Sequence, residues 1–133
     1  MMNRIEYTAL SLRGTPFKHQ GRDLKEGLDC AGLVAYVLKK STGLSPSIPD
    51  NYPKSVRGSY IVDVLEDHLE KADGLPIGGV VTFWIDKPGI VRHLGIIVRD
   101  GFVHSSPSYG TMFQSWTDKW EKRIQNVYVY RGK

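Results

Sequence analysis

The hydrophobic period of this chain changes at Asp73-Gly74, and that change most constrains what it can fold into. Before it, apolar residues recur at helical spacing; after it they alternate with period two, as in strands with one buried face. Helices first and strands afterwards predict an α+β domain with an antiparallel sheet, because a parallel sheet needs the two to alternate. The 133 residues suit one compact domain spanning 1–133, with no room for a second core.

Ile5, Ala9 and Leu12, with Tyr7 and Leu10 beside them, predict a short helix over 3–12 that ends at Arg13-Gly14-Thr15-Pro16. Residues 14–28 read as a polar loop punctuated by Gly14, Gly21 and Gly27, and a loop so long in so small a domain is usually functional or mobile. Cys30, Leu33, Val34, Val37 and Leu38 then share a helical face, with Asp29 placed as N-cap and Gly43 and Pro46 closing the segment. Pro46, Pro49 and Pro53 make 44–58 an extended surface crossing. A third helix is expected over about 59–71, with Ile61, Val62, Leu65 and Leu69 inward and His68 on the surface. Strands follow at 80–85, 93–98, 102–105 and 126–131, with Asp86-Lys87-Pro88-Gly89 and Asp100-Gly101 as turns and 106–119 as a loop. Trp116 and Trp120 are spaced to stack on a short helical turn, either in the core or along a substrate groove.

Several function classes fall away on composition. No apolar run approaches the ~20 residues that cross a bilayer, so no membrane insertion is expected. The single cysteine rules out an internal disulfide, and without a CxxC pair there is no structural zinc or dithiol signature. The net charge of +4 is spread along the chain with no Lys/Arg block, which argues against a nucleic-acid partner. Met1 to Tyr7 lack the apolar stretch of a secretory signal, so the chain is expected either to be made in the cytoplasm without a recognisable signal peptide or to have been processed already.

What remains is the thiol of Cys30. A thiolate is the nucleophile, and a helix N-terminus or a neighbouring imidazolium favours it. His93, Gly95 and Ile97 share one strand face, as do Phe102 and His104 on the next strand. A two-residue turn at Asp100-Gly101 would put His104 opposite Ile97, about 13 Å from His93. A four-residue loop over 98–101 would instead set His104 opposite Gly95, a diagonal neighbour of His93 at roughly 7–8 Å between backbones. Both registers keep the histidines on one face. The set suggests Cys30 as nucleophile, His93 as base and His104 as the group that orients it. Two other readings of the same residues stay open: a packed core thiol with unrelated histidines, and a zinc site formed by all three, although no HExxH spacing supports a metal.

The motifs add a resemblance. Leu28-Asp29-Cys30-Ala31-Gly32-Leu33-Val34 resembles the D-C-x-G-hydrophobic-V motif of the NlpC/p60 family of cell-wall cysteine peptidases. His93-Leu94-Gly95-Ile96-Ile97-Val98 resembles its histidine strand, and Phe102-Val103-His104-Ser105 its third-residue strand. Gly14-Thr15-Pro16-Phe17-Lys18-His19-Gln20-Gly21-Arg22 is similar to the opening loop of the subgroup found in phage tail modules and gene-transfer agents. The resemblance runs from about Gly14 to Val129. It implies a papain-like fold, the nucleophile heading a helix packed on an antiparallel sheet. It also implies hydrolysis of amide bonds in peptidoglycan stem peptides through an acyl-enzyme, without a metal or other cofactor. Cys30, His93 and His104 would be nucleophile, base and third member, with Phe17, His19, Gln20 and Asp29 around the oxyanion and substrate pocket. Phe17 stands where many members carry tyrosine, so it cannot donate a hydroxyl to the oxyanion, which leaves the Cys30 amide with His19 or Gln20. Gly78-Gly79 stands where Pro-Gly-Asp is common, a structural difference. The expected partner is a peptidoglycan peptide, alongside phage-tail or particle proteins, with action on the wall from a virion or after lysis. The alternative is a non-catalytic wall-binding or tail-structural module with the same fold.

Overall fold

A computed structural model describes residues 3–45 and 62–132. Asn3 caps the first helix, α1 (Arg4–Ser11), by accepting from the amides of Ile5 and Glu6. A two-stranded ribbon follows, β1 (Arg22–Asp23) and β2 (Gly27–Leu28), and leads directly into α2 (Cys30–Thr42). Asp29 caps α2, and Gly43 ends it in the left-handed region at φ 82°, where glycine carries no Cβ penalty. After α3 (Val62–His68), the strands are β3 (Glu70–Ala72), β4 (Val80–Trp84), β5 (Val91–Val98), β6 (Gly101–Ser106), β7 (Gly110–Ser115) and β8 (Ile124–Val129), with α4 (Asp118–Glu121) before the last. Among the described residues they form one six-stranded antiparallel sheet in the order β3-β8-β4-β5-β6-β7.

Strand alternation divides the core in two. Leu94, Ile96, Val98 and Val103 face α1 and α2 and join Ile5, Ala9, Leu33, Val34, Val37 and Leu38 in the larger cluster. Val81, Phe83, Ile97 and Phe102 face the other way, under Trp116, Trp120 and Ile124. Leu33, Val34, Val37 and Leu38 are almost wholly buried, each stabilising by roughly 1.5–3 kcal/mol. That far outweighs the ~1 kcal/mol that Gly32 costs the helix. Glu6 fastens α1 to the sheet, its buried carboxylate accepting from the Arg99 amide at 2.7 Å in the β5–β6 turn.

The α+β class and the antiparallel sheet are as the sequence led us to expect, and four local readings change. The loop over 14–28 contains the β1–β2 ribbon. The third helix stops at His68, and Glu70–Ala72 pair with Val127–Val129 as an edge strand; the run of acids continued the helical pattern, but pairing with β8 overrides it. Residues 59–61 and nearly all of the 44–58 crossing lie outside the described residues. The 106–119 loop holds β7 and the start of α4, because β7 is an edge strand whose polar residues hide its alternation. Trp116 therefore precedes α4, and both indoles pack on Phe83 and Phe102 with centroids 4.7–6.1 Å apart. His68 is exposed, as expected.

Candidate active site

The β5–β6 hairpin determines whether the two histidines meet. Val98 pairs with Gly101, Ile97 with Phe102 and Ile96 with Val103, and this register continued one step sets His104 opposite Gly95. The loop is Arg99-Asp100, with Asp100 in the left-handed region at φ 67°, a conformation aspartate tolerates better than most residues. Gly95 lets β5 and β6 pack this closely, because a Cβ there would lie 2.9 Å from the Phe102 ring and 3.1 Å from the Val103 carbonyl oxygen. His93 pairs across β4 with Phe83, at a bulge that shifts the register by one residue; bulges commonly re-aim side chains beside functional sites.

The result is a direct contact: His93 Nε2 lies 2.7 Å from His104 Nδ1, with the rings at 86°. Phe102 and Trp120 enclose His104 at 5.0 and 5.5 Å, leaving it 5% exposed. Its Nε2 is buried without a hydrogen-bond partner among the described residues. Burial disfavours the imidazolium, pulling the pKa of His104 from 6.5 down to about 4. His104 is therefore neutral near pH 7, able to accept a proton bond at Nδ1 when Nε2 carries the hydrogen. With Nε2 of His93 engaged in this way, Nδ1 is the nitrogen left to act as a base.

Cys30 occupies the first position of α2 and is fully buried. Its surroundings are built by close backbone contact. Leu28 donates its amide to the Pro16 carbonyl at 2.9 Å and its carbonyl accepts from Lys18 at 3.4 Å, so the strip carrying Phe17 runs beside the approach to Cys30. Asp29, wholly buried, accepts from the Gly32 amide at 2.8 Å, the Gln20 amide at 2.9 Å and Arg22 Nη1 at 3.2 Å. Gln20 takes a left-handed φ of 62° to aim that amide. Glycine is required where the loop crosses the helix: a Cβ on Gly32 would sit 2.0 Å from the Gly21 carbonyl oxygen. The Ser105 hydroxyl, one residue beyond His104, donates to the Leu28 carbonyl at 2.6 Å, joining the start of α2 to the His104 end of β6.

The structure thus brings His93 to His104, and gathers Phe17, Gln20 and Asp29 along the segment that leads into Cys30. His19 is half-buried in the same loop. Arg22, which sequence reasoning passed over, proves to be the cation on Asp29; its place in a polar loop gave no signal of that. A cavity of about 490 Å³ opens beside Arg22, between Tyr36, Lys39 and Lys40, along the flank of α2 rather than at the histidine pair. Among the described residues no group of three or more His, Cys, Asp or Glu is arranged to hold a metal ion, and no helix is long and apolar enough to cross a membrane.

Comparison with known proteins agrees with this architecture. No family model matches the chain. The murein DD-endopeptidase MepS/murein LD-carboxypeptidase of Escherichia coli strain K12 is 28% identical over 109 residues, covering 80% of this chain and 52% of that protein. The same protein from strain O157:H7 matches equally. The chain spans about half the length of the curated relatives it matches. The NlpC/p60 domain of the peptidoglycan hydrolase SagA superposes with a TM-score of 0.68 at 23% identity, over 95% of this chain and 96% of that one. A protein of the same family similar to a lipoprotein, from Staphylococcus aureus, gives 0.67 at 19% identity, over 98% of this chain and 41% of that one. The chain has the fold of NlpC/p60 domains.

Proposed function

We propose that this chain is a cysteine peptidase that hydrolyses amide bonds in peptidoglycan stem peptides. The observation that carries the reading is the 2.7 Å contact between His93 and His104, on a hairpin that Ser105 joins to the Leu28 carbonyl just before the chain's one cysteine. Its kinship with a murein endopeptidase supports the substrate class.

In this reading His93 takes the proton of Cys30, and the sulfur attacks the scissile carbonyl carbon. His104, neutral near pH 7, accepts from His93 Nε2 and steadies the imidazolium that forms. The oxyanion is held by the Cys30 amide at the first turn of α2, where amides have no helical partner. His19 and Gln20 lie in the adjoining loop; Phe17 has no hydroxyl to contribute. The carbon–nitrogen bond then breaks as His93 protonates the leaving amine, giving a thioester. Water, deprotonated by His93, cleaves the thioester and restores the thiol. No metal takes part. The likeness of 14–22 to phage and gene-transfer loops supports delivery to the wall by a tail or particle, whose proteins would be partners.

A second reading has its own observation. Cys30 has no exposed surface, which fits a wall-binding or tail-structural module that keeps the fold without turnover. Digestion of purified peptidoglycan separates the two: the wild type should release soluble peptides and Cys30→Ala should not. Equal release by both, or release by neither, would refute the catalytic reading.

A further inference from the structure

Resting on that reading, we infer that a pocket formed by Ile85, Lys119, Trp120 and Arg123 binds a carboxylate on the residue that follows the scissile bond. The pocket encloses about 220 Å³, room for one amino-acid side chain. Trp120 is its wall nearest the reaction, with its ring 6.0 Å from His93 and 5.5 Å from His104.

The order of strands says which half of the substrate reaches it. The start of α2 is tied to β6 through Ser105, and the 14–15 backbone bonds to Thr111 on β7. His93 lies on β5, and the pocket lies beyond it, at the end of β4 and on α4. In sheet order β4-β5-β6-β7, the histidine stands between the thiol side and the pocket. An acyl group must stay with the sulfur, whereas the leaving amine must reach the imidazolium that protonates it. The pocket is therefore on the leaving-group side.

Its charge identifies the ligand class. Arg123 is held from two directions, neither of which neutralises it. Its Nη1 donates to the Ile85 carbonyl at 2.5 Å, and its guanidinium carbon lies 5.2 Å from the centre of the Trp84 ring. Its Nε is buried without a hydrogen-bond partner among the described residues. Lys119 forms no ion pair among them either, and the acids of α4, Asp118 and Glu121, do not line the pocket. Two cations with no ion-pair partner among the described residues, beside an indole, suit an aliphatic arm ending in a carboxylate, for which charge-assisted hydrogen bonds are the strongest available contact.

The test uses two peptides identical except for glutamate or glutamine after the cleaved bond. The wild type should hydrolyse the glutamyl peptide with a kcat/KM at least about tenfold higher. Lys119→Gln, an exposed change that leaves the fold intact, should lower that ratio, and Arg123→Gln should bring it near one. Cleavage without preference, or a preference that survives both substitutions, would overturn the inference and leave the peptidase reading standing. If the wild type cleaves neither peptide, the peptidase reading fails, and binding to Cys30→Ala measured by calorimetry decides the pocket. Tighter glutamyl than glutaminyl binding, lost on adding Lys119→Gln, would support it; equal binding would overturn it.

Discussion

Replacing Gly32 with alanine reverses the sign that helix propensity alone gives. Gly32 lies in the first turn of α2 with an ordinary helical backbone, so Gly→Ala should stabilise by up to ~1 kcal/mol. The structure puts the new Cβ 2.0 Å from the Gly21 carbonyl oxygen. An ordinary carbon–oxygen contact is about 3.3 Å, so the loop must retreat by about 1.3 Å. Gly21 has little room to yield, because even a Cβ built on it would lie 2.2 Å from the Gly27 carbonyl oxygen. A retreat of that size loosens the 2.9 Å bond from the Gln20 amide to Asp29 and the 3.2 Å bond from Arg22. Overpacking costs about 1–3 kcal/mol, and the under-bonded buried carboxylate adds about 1–3 kcal/mol. The net expectation, after the propensity gain, is a loss of about 1–5 kcal/mol, read from urea unfolding at constant m-value. Unchanged or increased stability would refute the argument that backbone contact between this loop and α2 holds the site together.

Asp29→Ala should destabilise by about 2–4 kcal/mol in the same assay, since it removes a helix cap worth about 1 kcal/mol, takes the acceptor from the buried Gly32 amide and releases the Gln20 loop and Arg22. His104→Ala should lower kcat by about one to two orders of magnitude with KM little changed, while His104→Asn, which keeps an acceptor, should recover part of the loss; steady-state kinetics on a stem peptide checks both. The lowered pKa of His104, about 4 against 6.5, means the unfolded chain binds the extra proton first. Its contribution is fully present above about pH 6.5 and is lost as pH falls through 4, a change of order 3 kcal/mol. Denaturation midpoints across pH 4–7 should fall less steeply in His104→Gln than in the wild type.

The helix start at Cys30 was legible because an apolar stripe, an aspartate cap and a closing glycine coincide within fifteen residues. The face shared by His93 and His104 was legible from parity alone. Their contact was not, since it depends on whether Val98 pairs with Gly101, which the dipeptide Asp100-Gly101 does not dictate. The edge strands β3 and β7 were missed for a common reason: strands paired on one side carry too few buried residues to show a period, and pairing with β8 and β6 supplies what the local sequence lacks. Arg22 was invisible because an ion pair between a half-buried cation and a buried acid seven residues apart leaves no pattern.

Alkylation of Cys30 by iodoacetamide, followed by mass spectrometry from pH 5 to 9, tests the central claim that His93 activates this buried thiol. The wild type should react in the folded state well below pH 8, and His93→Ala should lose that low-pH reactivity. A thiol that resists alkylation until the protein unfolds, or reacts identically with and without His93, would contradict it.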